Sequence, residues 1–143
     1  MSFVPTYLEN YARLTETFGY WPQFHDSNVI SLNLTDQRID LLIHVWEMTS
    51  KVDEKGYFIL RNHNLVHFRF EDLSDISLKE PELGNILFEL SFSDLMDSGI
   101  FEVILDSVMD RDCSFKAKRG AILDISPCDE KGRKTEQGAA ANP

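Results

Sequence analysis

His25 and Asp26 stand side by side, and a carboxylate next to an imidazole is the pairing that orients a general base. With His44 they are the set from which a small hydrolase or metal-dependent site would be built. Neighbouring side chains point in different directions, however, and no Ser or Cys occupies a nucleophile elbow, nor does a Gly-rich phosphate loop occur. The pair reads instead as a fastener that caps backbone groups at a helix-to-strand corner, Asp26 forming an Asx-type turn with Asn28. His63 and His67 have the i, i+4 spacing that puts two imidazoles on one metal in a helix. Their segment, Asn62 to Phe68, looks like a turn entering a strand, where four residues span roughly 13 Å. Cys113 and Cys128 are too isolated for a zinc ribbon and give no reason to expect a disulfide. Asp94 with Asp97, and Asp110 with Asp112, lack the ligand pattern of a calcium loop. No catalytic residue, metal or cofactor is therefore expected. Trp21 and Phe24 read as a packed corner rather than a ligand platform; an apolar cleft beside Trp21 and Trp46 would mark a small-ligand or regulatory module.

These residues must be held by a small set of elements. Tyr7, Leu8, Tyr11, Leu14 and Phe18 form an apolar stripe at helical spacing, with a capping-box pair at Thr6 and Glu9 and a stop at Gly19. The period then changes to two. Ile30, Leu32 and Leu34 alternate with polar residues, and Ile39, Leu41, Ile43 and Val45 fill one face of a second strand. Leu42 and Trp46 leave that strand's other face partly apolar, which predicts a central strand covered on both sides, once by the helix. Strands are expected over 57–61, 65–71, 86–92, 100–107, 113–118 and 121–126, with turns at Asp53-Glu54-Lys55-Gly56, Asn62-His63-Asn64, Ser98-Gly99 and Arg119-Gly120. Residues 72–84 read as an irregular loop, Asp94 to Ser98 as one helical turn, and no internal repeat is visible. The expectation is one α+β domain over residues 1–127, mostly an antiparallel sheet of six to eight strands with an N-terminal helix against it. Residues 128–143, poor in large apolar side chains, form a disordered tail.

The 143 residues carry 24 acids and 14 bases, a formal net charge of −10, and ten Phe supply a real core. Such an acidic chain repels nucleic acid. No apolar run is long enough for a membrane span and no signal peptide is evident, so a cytoplasmic protein is expected. Twelve of the acids lie in residues 71–112 against only Lys79 and Arg111; the other residues balance to zero. This charge could be an ordinary solvated surface, or a face that steers a basic protein partner. Asp94, Asp97, Glu102, Asp106, Asp110 and Asp112 are the candidate contact residues.

The run Gly19-Tyr20-Trp21-Pro22-Gln23-Phe24-His25-Asp26-Ser27-Asn28-Val29 resembles the immunity protein 50 family, whose members tend to carry a Trp and then Phe-His-Asp leading into a strand. The likeness continues through Leu65 to Phe70, Asn85-Ile86-Leu87 and Cys113 to Pro127, covering about residues 7–127. Ser27-Asn28 departs from the small residue and acid expected there. The resemblance implies a non-enzymatic antidote that binds the toxin domain of a bacterial polymorphic toxin system. It carries over no catalytic residue, and Trp21, Phe24, His25 and Asp26 would maintain the fold. The charge points to a basic toxin domain, such as a nuclease, as the partner.

Overall fold

The computed structural model describes residues 4–22, 24, 27–78, 87–107 and 112–134. Among these residues one helix, α1 (Tyr11–Phe18), precedes eight strands: β1 (Ser27–Thr35), β2 (Arg38–Val52), β3 (Phe58–Glu71), β4 (Ser74–Leu78), β5 (Leu87–Phe92), β6 (Phe101–Ser107), β7 (Asp112–Ala117) and β8 (Arg119–Pro127). The sheet order is β4-β7-β6-β5-β1-β2-β3-β8, and every strand pairing is antiparallel. This is the expected α+β class, mostly sheet with the helix against it.

Two four-stranded halves make up the sheet, β1-β2-β3-β8 and β4-β7-β6-β5, and among the described residues β1 meets β5 only at Ser27–Phe88 and Asn28–Leu87. What joins them is a bend. β3 runs into β4 across Asp72 and Leu73, with Asp72 at φ 57°, while β7 runs into β8 across Lys118 alone. Glu71 pairs with Arg119 before the bend and Ser74 with Lys116 beyond it, so one antiparallel pair passes from one half to the other. Strands that switch layers in this way let the two inner faces meet. Phe70 of β3 lies 5.2 Å from Phe115 of β7 and 6.2 Å from Phe101 of β6, ring centroid to ring centroid. Ile39, Leu41, Ile43 and Val45 are all buried against this core, as their period-two spacing predicts.

Several local expectations give way to the ladder. Asn62-His63-Asn64 is no turn; Asn62, at φ 59°, is an irregularity inside a continuous β3. Residues 74–78 of the expected loop form β4, and 79–86 lie outside the described residues. Arg119-Gly120 belongs to β8, and β7 and β8 do not pair with each other although they adjoin. In β1 the register shifts between Val29 and Ser31, so Val29 and Leu32 face the core and Leu34 is left exposed. The expected turn near Asp94 is a 3-10 turn at Asp97–Gly99. Residues 128–134 are structured too: Cys128 pairs with Lys134 around a tight turn, while 135–143 lie outside the described residues.

The helix starts later than its stripe predicts, because Glu9 joins β8. Its N–H donates to Gly120 O at 2.9 Å and its carbonyl accepts from Ile122 N–H at 2.9 Å, removing groups the first helical turn would need. The Thr6–Glu9 capping box is therefore not used, and Asn10, left-handed at φ 67°, precedes α1 and donates its side-chain amide to Ile122 O. Gly19 does end the helix, left-handed at φ 83°, with its N–H on Thr15 O. Leu8 is buried ahead of the helix, and Tyr7 stacks on Phe101 at 4.4 Å. The helix thus lies against β8, and a different element covers the outer face of β2.

Gly120 makes this closure possible. A Cβ there would sit 2.6 Å from Leu8 Cδ2 and 3.0 Å from both Phe101 Cζ and Phe70 Cδ1. Gly120→Ala should cost about 1–3 kcal/mol in urea unfolding through overpacking, and less in a Leu8→Ala background. Equal costs in the two backgrounds would show that Leu8 does not occupy that space.

Candidate functional site

Among the described residues the acids of 71–112 do not form one patch. Along β6, Phe101, Val103 and Leu105 are buried, which turns Glu102, Ile104 and Asp106 to the opposite face. Asp106 pairs in register with Glu89 of β5 on one side and with Asp112 of β7 on the other, so three acidic positions stand in a row across three strands. Asp112 is therefore a register neighbour of Asp106, whereas Asp110 lies outside the described residues. Asp94 and Asp97 sit at the far end, in the connection between β5 and β6, where Asp94 Oδ1 accepts from Leu95 N–H at 2.9 Å. Leu95 and Met96 beside them are 49% and 42% exposed, an apolar step next to two carboxylates.

Glu102 falls between these groups, opposite Lys116 of β7. Lys116 Nζ also lies 3.0 Å from Asp75 Oδ2, and that hydrogen bond and charge, with Glu102 behind them, raise the ammonium pKa above its ordinary value. Arg119 meets Asp72 at 2.9 Å and Glu71 at 3.6 Å. Bases from outside 71–112 thus pair with Glu71, Asp72 and Asp75, the first acids of the stretch. Glu89 is the member that sequence spacing did not single out; only register reveals it.

The family-motif residues behave as a packed corner where they are described. Trp21 and Phe24 are buried with ring centroids 5.6 Å apart, and Phe24 meets Phe68 at 5.9 Å. Phe24 holds φ 57°, which a bulky residue adopts only where packing imposes it. His25 and Asp26 lie outside the described residues. Trp21 belongs to the inner core, whereas Trp46 lies beside His44 on the outer side of β2, so the two do not share a cleft. Shallow clefts of about 270 and 350 Å3 occur instead where β8 meets the β1–β2 turn and the N-terminal segment, lined by Arg38, Arg119, Glu71 and Asp72 in one and by Tyr7, Glu9, Arg69 and Lys118 in the other.

Two polar clusters occupy the outer face of β2 and β3. Asp40 Oδ1 accepts from His67 Nε2 and Arg69 Nε, both at 2.8 Å, and Arg38 Nε lies 3.5 Å from Oδ2. Partial burial is the largest influence on Asp40 and works against ionisation, but the hydrogen bonds from Arg69 and His67 outweigh it and hold the carboxyl below its ordinary pKa. At the other end His44 Nε2 and His63 Nδ1 are 3.0 Å apart, one ring donating and the other accepting, and the Trp46 ring lies 4.8 Å from His44. His63 and His67 therefore serve different partners, as an extended segment requires. Among the described residues no group of three or more His, Cys, Asp or Glu is arranged to hold a metal, and no helix is long and apolar enough to cross a membrane.

No protein-family model, curated protein or solved structure matches this chain, so the role of these groups is argued from their own geometry.

Directly opposed like charges destabilise an antiparallel pair, whereas opposite charges contribute roughly 0.2–1 kcal/mol. Glu89→Lys should therefore stabilise the free protein by up to about 1 kcal/mol at low salt, with the gain fading at high salt. A variant less stable than its parent in both buffers would show that the acids in this row do not repel one another.

Proposed function

We propose that this protein is a non-enzymatic immunity protein, which binds and neutralises a cognate toxin domain of a bacterial polymorphic toxin system through its acidic β5–β6–β7 face. The observation that carries the reading is the register that sets the acidic positions 89, 106 and 112 side by side across three strands. A basic partner is steered toward acidic positions concentrated on one face. Leu95 and Met96, exposed beside Asp94 and Asp97, supply the apolar contact that charge alone lacks. The resemblance of the Trp21-to-Asp26 run to the immunity protein 50 family supports the antidote role, and the packed Trp21–Phe24 corner fits a motif kept for folding. A toxin domain that itself grips nucleic acid, such as a nuclease, has the complementary charge.

Co-expression with a toxin domain encoded beside this chain tests the function: cells should survive only when both are made. Death despite this protein, or survival without it, would sink the antidote reading. The face is tested separately by measuring association. The double variant Glu89→Lys, Asp106→Lys should slow binding about tenfold or more at low salt and flatten its salt dependence. An unchanged on-rate would move the interface elsewhere.

A further inference from the structure

His44 projects from the side of β2 opposite Ile43 and Val45, where a lone strand residue would meet solvent, yet it is only 1% exposed. Its cover is the turn Cys128–Lys134. Gly132 lies so close that a Cβ would stand 3.3 Å from His44 Nδ1 and from Ile30 Cδ1. Cys128 N–H donates to His63 O at 3.1 Å, tying the start of the turn to β3 beside the same imidazole pair. Leu65 and Cys128 are buried here as well, outside the main core, so the turn caps a small second core on the outer face. The turn holds its own shape: Asp129 Oδ1 accepts from Lys131 N–H and Arg133 N–H at 2.9 Å each, and Asp129 Oδ2 accepts from Arg133 Nε at 2.8 Å. Internally rigid, it docks as a unit.

We propose that the His44–His63 pair is an acid-sensitive latch: neutral, the two rings share one hydrogen bond beneath the Cys128–Lys134 turn, and protonation of both displaces the turn from the sheet. One proton can be accommodated, because an imidazolium still donates to a neutral ring. The second cannot, since it leaves two donors facing each other at 3.0 Å with no acceptor between them. The charged groups facing the pair are Asp129 and Glu130 of the turn; β2 contributes Trp46 and β1 contributes Ile30, neither of which titrates here. The two carboxylates favour protonation, but burial dominates at both rings and, with the charge of His63 added, brings His44 down to about 4, His63 also falling below its ordinary value. Both folded-state values lie below the unfolded one, so the turn's docking is complete above about pH 6.5 and is lost as pH falls from there toward about 4. The latch does not depend on the toxin-binding reading.

Amide hydrogen exchange of the full chain at pH 7.5 and pH 4.5, corrected for intrinsic rates, tests it. Protection at 128–134 should fall at least tenfold on acidification while β6 and β7 stay protected, and His44→Gln with His63→Gln should abolish the difference. Asp129→Asn, which keeps an acceptor for the turn, should retain the transition and shift it to lower pH. Loss of the transition in Asp129→Asn would assign it to that carboxylate and overturn the latch. Should the double variant fail to fold, imidazole NMR titration of the parent decides: both rings must titrate together with the loss of protection. Protection that stays constant, or rings that titrate with the turn still docked, would also overturn it.

Discussion

Because Glu71 pairs with Arg119 on one side of a bend and Ser74 with Lys116 on the other, one antiparallel ribbon belongs to both halves of the sheet. Among the described residues the halves meet elsewhere only at Ser27–Phe88 and Asn28–Leu87, which is little to hold their faces together. The bend turns Phe70 toward Phe101 and Phe115, and burial of those rings, each worth a few kcal/mol, fixes the spacing of the layers. The polar parts of the bend follow from the same geometry. Arg119 reaches Asp72 and Glu71 across it, and Lys116 reaches Asp75 just beyond. Exposed pairs of this kind add little stability, but they decide which acids remain to be seen from outside.

That division gives the molecule two outer faces of different character. Across β5, β6 and β7 the acidic positions 89, 106 and 112 adjoin in register. Across β2 and β3 the polar groups answer one another: Asp40 collects His67, Arg69 and Arg38, and His44 collects His63. The second face is covered at its His44–His63 end by the Cys128–Lys134 turn.

Legibility in the sequence followed the range of the forces involved. Ile39, Leu41, Ile43 and Val45 announced β2 because burial on one face is a period-two property that needs no knowledge of partners. Asn62-His63-Asn64 misled because local turn chemistry was overruled by a ladder already fixed on both sides by β2 and β8. Thr6 and Glu9 misled for a related reason, Glu9 being recruited by β8. The row Glu89–Asp106–Asp112 and the balancing of Glu102 by Lys116 depend on register and could not be counted along the chain. The ordered C-terminal turn, by contrast, had a signal. Asp-Glu-Lys-Gly occurs at 53–56, where it reads as a turn, and again at 129–132, contrary to the absence of any repeat. Both copies fold alike, with the Asp side chain accepting from the second and fourth residues on.

Leu8 in the space beside Gly120 has one more consequence, which concerns time. Asn10 and its acceptor Ile122 are 112 positions apart, so the segment that seals the core is made well before the strand that seats it. During synthesis Tyr7, Leu8 and the apolar side of α1 have no β8 to cover and must wait exposed until that strand emerges. Closure of so long a loop is slow relative to local pairing. Until Leu8 is seated, the core lacks its cover beside Phe70 and Phe101.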